Sequence, residues 1–113
     1  MITIDALKEM GCNVEEGLHR CMDNEDFYLM LVNKSLKDEQ IVELKQSIND
    51  KNLKRGFEVA HALKGVYGNL SITPLYEVVV EITELLRKEA DVDYHPYLDK
   101  IETLYNQLKA LAQ

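Results

Sequence analysis

The sequence contains few of the residues that interrupt helices: of its 113 residues, two are proline and five are glycine, and tryptophan is absent. The alternation of apolar and polar residues that is typical of strands is almost absent as well. Apolar residues instead recur at three- and four-residue spacings, which is the pattern of amphipathic helices. We therefore expect an all-α protein.

The sequence also lacks any apolar run of about 18 residues or more, so we expect no membrane insertion. The first residues have neither the basic start nor the apolar stretch of a secretion signal. The two cysteines, Cys12 and Cys21, are expected to be free thiols in such a chain. The spacing of Cys12, His19 and Cys21 matches no zinc motif, so we expect no metal site. Together these features predict a cytoplasmic protein.

Basic residues are outnumbered: 13 lysines and arginines stand against 20 aspartates and glutamates, which gives a net charge of −7. The acidic residues are spread along the chain rather than gathered in a block. A dense basic face, which nucleic-acid binding needs, is missing, and an anionic membrane surface is an equally poor partner. The acidity is typical of a well-solvated surface.

Helical periodicity divides the chain into segments. A stripe of apolar residues predicts a helix that begins with Thr73 as N-cap and Pro74 in the first turn, and that ends near Glu89. Its members are Leu75, Val78, Val79, Ile82, Leu85 and Leu86. A last helix should start around Pro96, which His95 precedes. It should bury Tyr97, Ile101, Leu104, Leu108 and Leu111.

Upstream, Ile41, Leu44 and Ile48 indicate one helix, and Phe27, Met30 and Leu31 indicate an earlier one. A further helix is expected at about 51–70. One or two short helices would account for the first two dozen residues. The sum is five or six helices joined by short turns, which predicts an antiparallel four-helix bundle with one or two short additional N-terminal helices. No linker divides the chain, so we expect a single domain over 1–113.

One helix of this set carries an unusual group of residues on a single face. With about 3.6 residues per turn, His61, Lys64, Gly65 and Gly68 fall on one narrow arc. The opposite side is apolar, with Val59, Leu63, Val66 and Leu70. The histidine is therefore expected to point to solvent, beside a cation and over two positions without a side chain. Glycine inside a helix costs about 1 kcal/mol relative to alanine, so the clearance should serve a second macromolecule.

These residue types suit phosphoryl transfer. A histidine near neutral pH offers a lone pair as nucleophile. The Lys64 ammonium, one turn further on, can stabilise an arriving anion, and phosphoryl transfer mainly requires positioning and charge stabilisation. Phe57 and Lys54 precede His61 on nearly the same arc and are candidate partner contacts. Thr83, from the following helix, is the candidate to orient the imidazole.

The pattern His-x-Leu-Lys-Gly, followed by a small residue three positions later, resembles the signature of histidine-containing phosphotransfer (HPt) domains of two-component phosphorelays. The resemblance implies that His61 is the phosphoacceptor, Lys64 the stabilising cation, and Gly65 and Gly68 the small positions that admit the partner. The resemblance also implies that the chain is a phosphoryl carrier with no kinase activity and no cofactor of its own. Its partners would be response-regulator receiver domains, a sensor histidine kinase, or both. The receiver would supply Mg²⁺. A carrier that must expose its histidine is expected to be a monomer.

The sequence departs from that family at three places. Ser71 stands where the family usually has glycine or alanine, and Val66 and Tyr67 stand where small residues are common. Thr83 stands where many members carry glutamine or glutamate to orient the histidine. Two alternatives remain open: the substrate domain of a chemotaxis-type histidine kinase, and a scaffold that binds a receiver without phosphotransfer.

Overall fold

The computed structural model describes residues 1–113 and contains seven helices and no strand. They are α1 (Ile4–Met10), α2 (Val14–Arg20), α3 (Glu25–Lys34), α4 (Asp38–Asn49), α5 (Leu53–Asn69), α6 (Thr73–Arg87) and α7 (His95–Leu111). The all-α prediction is confirmed. The predicted number of helices was too low, because three helices rather than one or two precede the four that form the bundle.

The bundle consists of α4 to α7, packed in chain order. Helix α5 packs on α4 and α6, and α6 packs on α7. The connections are short, over 50–52, 70–72 and 88–94, and such connections place consecutive helices side by side and antiparallel. The core contains 26 buried apolar residues. The predicted stripe of α6 is buried apart from Leu85, which is partly buried.

The start of α6 differs from the prediction that Thr73 is its N-cap. Thr73 is the first helical residue, and Ile72 occupies the cap without a side-chain hydrogen bond. The Thr73 hydroxyl instead accepts a hydrogen bond from the backbone N–H of Asn13 at 3.1 Å and donates to the carbonyl of Ser71 at 3.2 Å. The Thr73 hydroxyl oxygen, which was expected to cap α6, therefore binds the turn before α2 instead. Pro74 lies in the first turn, as predicted.

The end of α6 and the start of α7 agree with the predicted helix boundaries to within two residues. Helix α6 ends at Arg87, and Glu89 has a φ of 50°, which is incompatible with a continued helix. Helix α7 begins at His95, directly before Pro96. The Asp93 carboxylate accepts a hydrogen bond from the His95 backbone N–H at 3.0 Å and so satisfies a free donor at the helix start.

Two of the N-terminal helices, α2 and α3, pack against the turn between α5 and α6. Tyr28, on α3, is completely buried and donates a hydrogen bond from its hydroxyl to the carbonyl of Leu70 at 2.7 Å. Gly17, on α2, permits this approach: a Cβ there would lie 2.6 Å from Cε1 of Tyr28 and 2.9 Å from the Leu70 carbonyl oxygen. The turn that ends the histidine helix is thus fixed by residues from both α2 and α3.

Cys12 and Cys21 are both buried and form no disulfide. Burial raises the pKa of the Cys12 thiol to about 11. The structure includes no helix with both the length and the apolar character needed to cross a membrane.

Candidate functional site

Helix α5 buries one face in the bundle and leaves His61 on the other. Asn52 caps its N-terminus, and the side-chain oxygen accepts from the backbone N–H of Arg55 at 3.2 Å. The inward face consists of Gly56, Val59, Ala60, Leu63 and Tyr67, all buried. His61 is exposed, as the 3.6-residue period predicts.

Lys64 and Gly65 lie one turn beyond His61. Lys64 is partly buried, and its ammonium group forms no salt bridge. The space over Gly65 is open, since a Cβ built there would have no atom within 4 Å. A partner can therefore approach the helix backbone beside His61 without displacing any part of this chain.

Gly68 does not provide the same clearance. The ring of Tyr76, on α6, lies over it, and a Cβ on Gly68 would come within 2.9 Å of Cε1 and 3.2 Å of Cδ1 of that ring. The expectation that both glycines leave open space is thus correct only for Gly65. The space over Gly68 is filled from within the chain, and Tyr76, which is 38% exposed, forms the surface there instead.

A groove of about 500 Å³ lies beside Gly65, between α2, α5 and α6. Lys64 and Arg20 contribute positive charge to its lining, Glu16 contributes a carboxylate, and Tyr76 contributes an aromatic ring. The remaining lining is mostly polar: Asn13, Asn69, Ser71 and Thr73. The groove begins at the open side of the histidine helix and ends against the N-terminal helices.

Arg20 is a residue that sequence reasoning missed. Its Nη1 donates to the carbonyl of Gly68 at 2.8 Å and to the hydroxyl of Ser71 at 2.9 Å, and Nη2 pairs with the Glu16 carboxylate. A guanidinium at this place satisfies carbonyls at the C-terminal end of α5 and complements the negative end of the helix dipole. No local pattern signals this contact, because Arg20 and Gly68 are 48 residues apart.

Ser71, a departure from the family pattern, has a structural explanation. Its φ is 54°, in the left-handed region where glycine is the residue with no steric penalty. Its hydroxyl accepts the hydrogen bond from Arg20 and donates one to the Glu16 carboxylate at 3.3 Å. The serine therefore adds polar contacts to α2 at a position where a glycine would suit the backbone.

Phe57 stacks on His61. The two ring centroids are 5.5 Å apart and the ring planes are inclined by 26°. On the same aromatic ring, the guanidinium carbon of Arg87 lies 4.8 Å from the centroid. The sequence placed Phe57 on nearly the same arc as His61, as a candidate partner contact. It did not reveal the stack or Arg87, because both depend on side-chain directions and on the packing of α6.

Thr83, the predicted orienting residue, forms no hydrogen bond with His61. Its side chain is completely buried, and its hydroxyl donates to the Val79 carbonyl at 2.6 Å. A threonine inside a helix often bonds to the carbonyl one turn earlier in this way. No hydrogen bond joins Thr83 to His61, so the orienting role predicted for Thr83 is wrong.

Lys54 lies at the start of α5 and is exposed. It lines a shallow depression with Phe57, Glu58 and Arg87, beyond the stacked face of His61. Its ammonium group forms no salt bridge, whereas its neighbour Arg55 pairs with Glu43 and Glu58. Lys54 therefore extends positive charge along the exposed face of the helix.

The site contains no group of three or more His, Cys, Asp or Glu side chains that could hold a metal ion. What the geometry offers is one exposed imidazole, an unpaired lysine ammonium beside it, and open backbone over Gly65. Such an arrangement can present a nucleophilic nitrogen to a reactive group that belongs to another molecule.

Comparison with known proteins identifies one family. A family model described as Hpt domain matches residues 37–111. The matched segment contains α4 to α7 with His61, and it leaves α1 to α3 outside. No curated protein and no solved structure matches the chain.

Proposed function

The chain belongs to the Hpt domain family, and from this premise we propose that His61 accepts a phosphoryl group from the aspartyl phosphate of a receiver domain and passes it to another receiver. Hpt domains are phosphocarrier modules of two-component phosphorelays. The observation that carries the proposal is the exposed imidazole of His61 next to the open backbone of Gly65.

The transfer reaction requires only a nucleophilic nitrogen from the carrier. A lone pair on an imidazole nitrogen of His61 forms a bond to phosphorus, the acyl phosphate P–O bond breaks, and the receiver's aspartate leaves as a carboxylate. The proton on the other ring nitrogen passes to water, so that the phosphohistidine ring is neutral. Onward transfer reverses these steps on a second receiver. Mg²⁺ and the aspartate belong to the receiver, so this chain needs no cofactor and no kinase activity of its own.

Lys64 is the group we assign to charge stabilisation. Its ammonium is one turn from His61 and has no carboxylate partner. A phosphoryl group in transfer carries charge on its equatorial oxygens, and a cation that is not already paired can interact with them.

The receiver would dock over the exposed face of α5. Gly65 lets its reactive end come close, and the ring of Tyr76 over Gly68 bounds the contact on the side of α6. Lys54 bounds it on the side of the helix start. Because docking requires this face to be free, the protein is expected to act as a monomer. We also propose that the protein acts in the cytoplasm. We assign all of 1–113 to one domain, because hydrogen bonds join α2 and α3 to the turn between α5 and α6.

A labelling experiment tests the proposal. Purified protein would be incubated with a panel of receiver domains that carry phosphate, and protein-bound phosphate would be tested for the acid lability and base stability of phosphohistidine. We expect label from at least one receiver and none from ATP alone. Label from a histidine kinase domain with ATP, with none from any receiver, would instead identify a kinase substrate domain. No label from either source would favour a scaffold.

His61→Gln identifies the acceptor, and the chain offers matched controls. It has three histidines, and the other two, His19 and His95, are also exposed. His19→Gln and His95→Gln should keep full labelling, while His61→Gln should lose it. Label that survives in His61→Gln would overturn the assignment.

A further inference from the structure

His61 has no polar partner within the chain. No hydrogen bond or salt bridge involves either ring nitrogen of His61, and the predicted orienting residue, Thr83, donates a hydrogen bond to the Val79 carbonyl instead. A histidine side chain without such a partner has a broad torsion at χ2, so its ring plane is poorly defined. Efficient transfer nevertheless requires that the nucleophilic nitrogen be aligned with phosphorus.

The His61 ring stacks on the ring of Phe57, and this contact can define the ring plane. In a helix, side chains lean toward the N-terminus and lie over the residue one turn earlier, so the His61 ring naturally meets the ring of Phe57. At a centroid separation of 5.5 Å and an inclination of 26°, the contact covers a face of the imidazole. The lone pair of one ring nitrogen and the N–H of the other lie in the plane of the ring, so a contact with the ring face leaves both nitrogens accessible.

Phe57 is itself held in place. It is partly buried and packs against the bundle core. The guanidinium of Arg87, at the end of α6, lies 4.8 Å from the ring centroid, and Arg87 also bonds to Glu84 at 3.3 Å. A ring fixed by two helices can restrict the motion of an exposed neighbour, whereas a mobile ring could not.

We propose that Phe57 is the positioning residue of His61: its ring, braced by Arg87, holds the imidazole plane so that a ring nitrogen faces the incoming phosphoryl group. This inference rests on the proposed phosphotransfer function and adds a residue to it. An aromatic face thus takes the role that a hydrogen-bonding side chain would otherwise have. Phe57 does not touch phosphorus and supplies no charge.

The first test measures the stack without any receiver. Protons of an imidazole that lie over an aromatic face are shielded, so the carbon-bound ring protons of His61 should resonate upfield of those of His19 in proton NMR spectra. Phe57→Leu keeps an apolar side chain but removes the ring, and the His61 signals should move downfield. Phe57→Tyr should leave them near their original positions. Unchanged His61 signals in Phe57→Leu would overturn the stack.

The second test measures transfer from the receiver that labels His61 fastest. Single-turnover rates are recorded over a range of receiver concentrations. We expect Phe57→Leu to lower the limiting rate about threefold to tenfold, the equivalent of one lost aromatic pair, and Phe57→Tyr to restore it. The receiver concentration at half-maximal rate should stay the same. A raised half-maximal concentration with an unchanged limiting rate would make Phe57 a docking contact and overturn the proposal, as would unchanged kinetics.

A small phosphoryl donor distinguishes an effect on the orientation of the His61 ring from an effect on its intrinsic reactivity. With phosphoramidate, an imidazole nitrogen forms the bond to phosphorus, the donor's P–N bond breaks, and ammonia leaves. This donor tumbles freely, so Phe57→Leu should change its rate by less than about twofold. An equal loss with phosphoramidate and with the receiver would contradict a positioning role.

Phe27→Leu is the matched control. Phe27 is the other phenylalanine of the chain, lies on α3 and is 44% exposed. Phe27→Leu should leave both the NMR signals of His61 and the limiting rate unchanged. If no receiver labels the wild-type protein, the proposed function fails, while the NMR test still decides whether Phe57 holds the ring.

Discussion

The ring of Tyr76 lies against Gly68, so closely that a methyl group on the glycine would come within 2.9 Å of Cε1 of the tyrosine. Gly65, on the same face of α5, has no atom within 4 Å of the corresponding position. The two glycines therefore serve different purposes. Gly68 permits two helices of the chain to pack, and Gly65 leaves space for another molecule.

Alanine substitutions should separate these two roles. Gly65→Ala meets no steric obstacle and improves helix propensity, so it should raise the free energy of unfolding by up to about 1 kcal/mol while slowing transfer from a receiver. Gly68→Ala should be less stable than Gly65→Ala, because the Tyr76 ring must move. Denaturant unfolding measures both variants.

Tyr76→Ala is the control background for Gly68. Without the Tyr76 ring, Gly68→Ala should raise the free energy of unfolding by the same amount as Gly65→Ala, because both substitutions then only improve helix propensity. Equal effects of Gly68→Ala in the presence and absence of Tyr76 would contradict the packing role of Gly68.

The two fully buried tyrosines, Tyr28 and Tyr67, differ in one hydrogen bond, and their phenylalanine variants should differ accordingly. The Tyr28 hydroxyl donates to Leu70, so Tyr28→Phe should lower the free energy of unfolding by about 1 kcal/mol or more. The Tyr67 hydroxyl is buried without a partner. Tyr67→Phe removes this unsatisfied group and should be neutral or stabilising. A destabilisation of Tyr67→Phe that matches Tyr28→Phe would show that the Tyr67 hydroxyl has a partner.

The hydroxyl of Ser71 should contribute to stability through Arg20. Ser71→Ala keeps the positive φ and loses the hydrogen bonds to Arg20 and Glu16, so it should lower the free energy of unfolding by about 1 kcal/mol. Ser71→Gly loses the same bonds but relieves the backbone, so its loss should be smaller. In a double-mutant cycle, Arg20→Ala and Ser71→Ala should be non-additive. Additive losses would mean that the 2.9 Å contact contributes nothing.

Alkaline pH should destabilise the fold. Burial raises the pKa of Tyr28 to about 12, and burial also raises the pKa values of Tyr67 and Tyr105 above their usual range. An unfolded tyrosine ionises near pH 10, so above that pH the unfolded chain binds fewer protons than the folded one, and stability falls as pH rises.

The free energy of unfolding, measured between pH 8 and 12, should therefore decline from about pH 9, where the unfolded Cys12 thiol also begins to ionise. Tyr67→Phe removes one titrating group and should make the decline above pH 10 less steep. A free energy of unfolding that stays constant up to pH 11 would contradict this assignment.

The sequence predicted the long helices because their apolar residues follow the helical period, and it predicted the exposure of His61 for the same reason. The short helices were harder to predict. Helices α1 and α2 have seven residues each and depend on the caps Thr3 and Asn13 and on packing against the bundle. Such short segments are marginal in isolation, so local pattern alone could not count them.

The surroundings of His61 could be predicted only in part. The positions of Lys64 and Gly65 beside His61 could be predicted from their spacing on one helix. Tyr76 over Gly68 and Arg87 on Phe57 are contacts between helices, and their geometry depends on how α5 and α6 are rotated against each other. The error over Thr83 has a different origin. Thr83 lies four residues after Val79 and three before Leu86, so the helical period already places it within the apolar stripe of α6, and its side chain is buried in the core.

The most direct measurement is transfer to His61 followed by transfer away from it. Wild-type protein is labelled by a phosphorylated receiver, separated from it, and mixed with a second, unphosphorylated receiver while protein-bound phosphate is followed over time. We predict that mass spectrometry places the phosphate on His61, that the second receiver removes it, and that His61→Gln neither gains nor passes on label. Phosphate on another residue, or label on His61 that no receiver can remove, would contradict the assignment of this chain as a phosphorelay carrier.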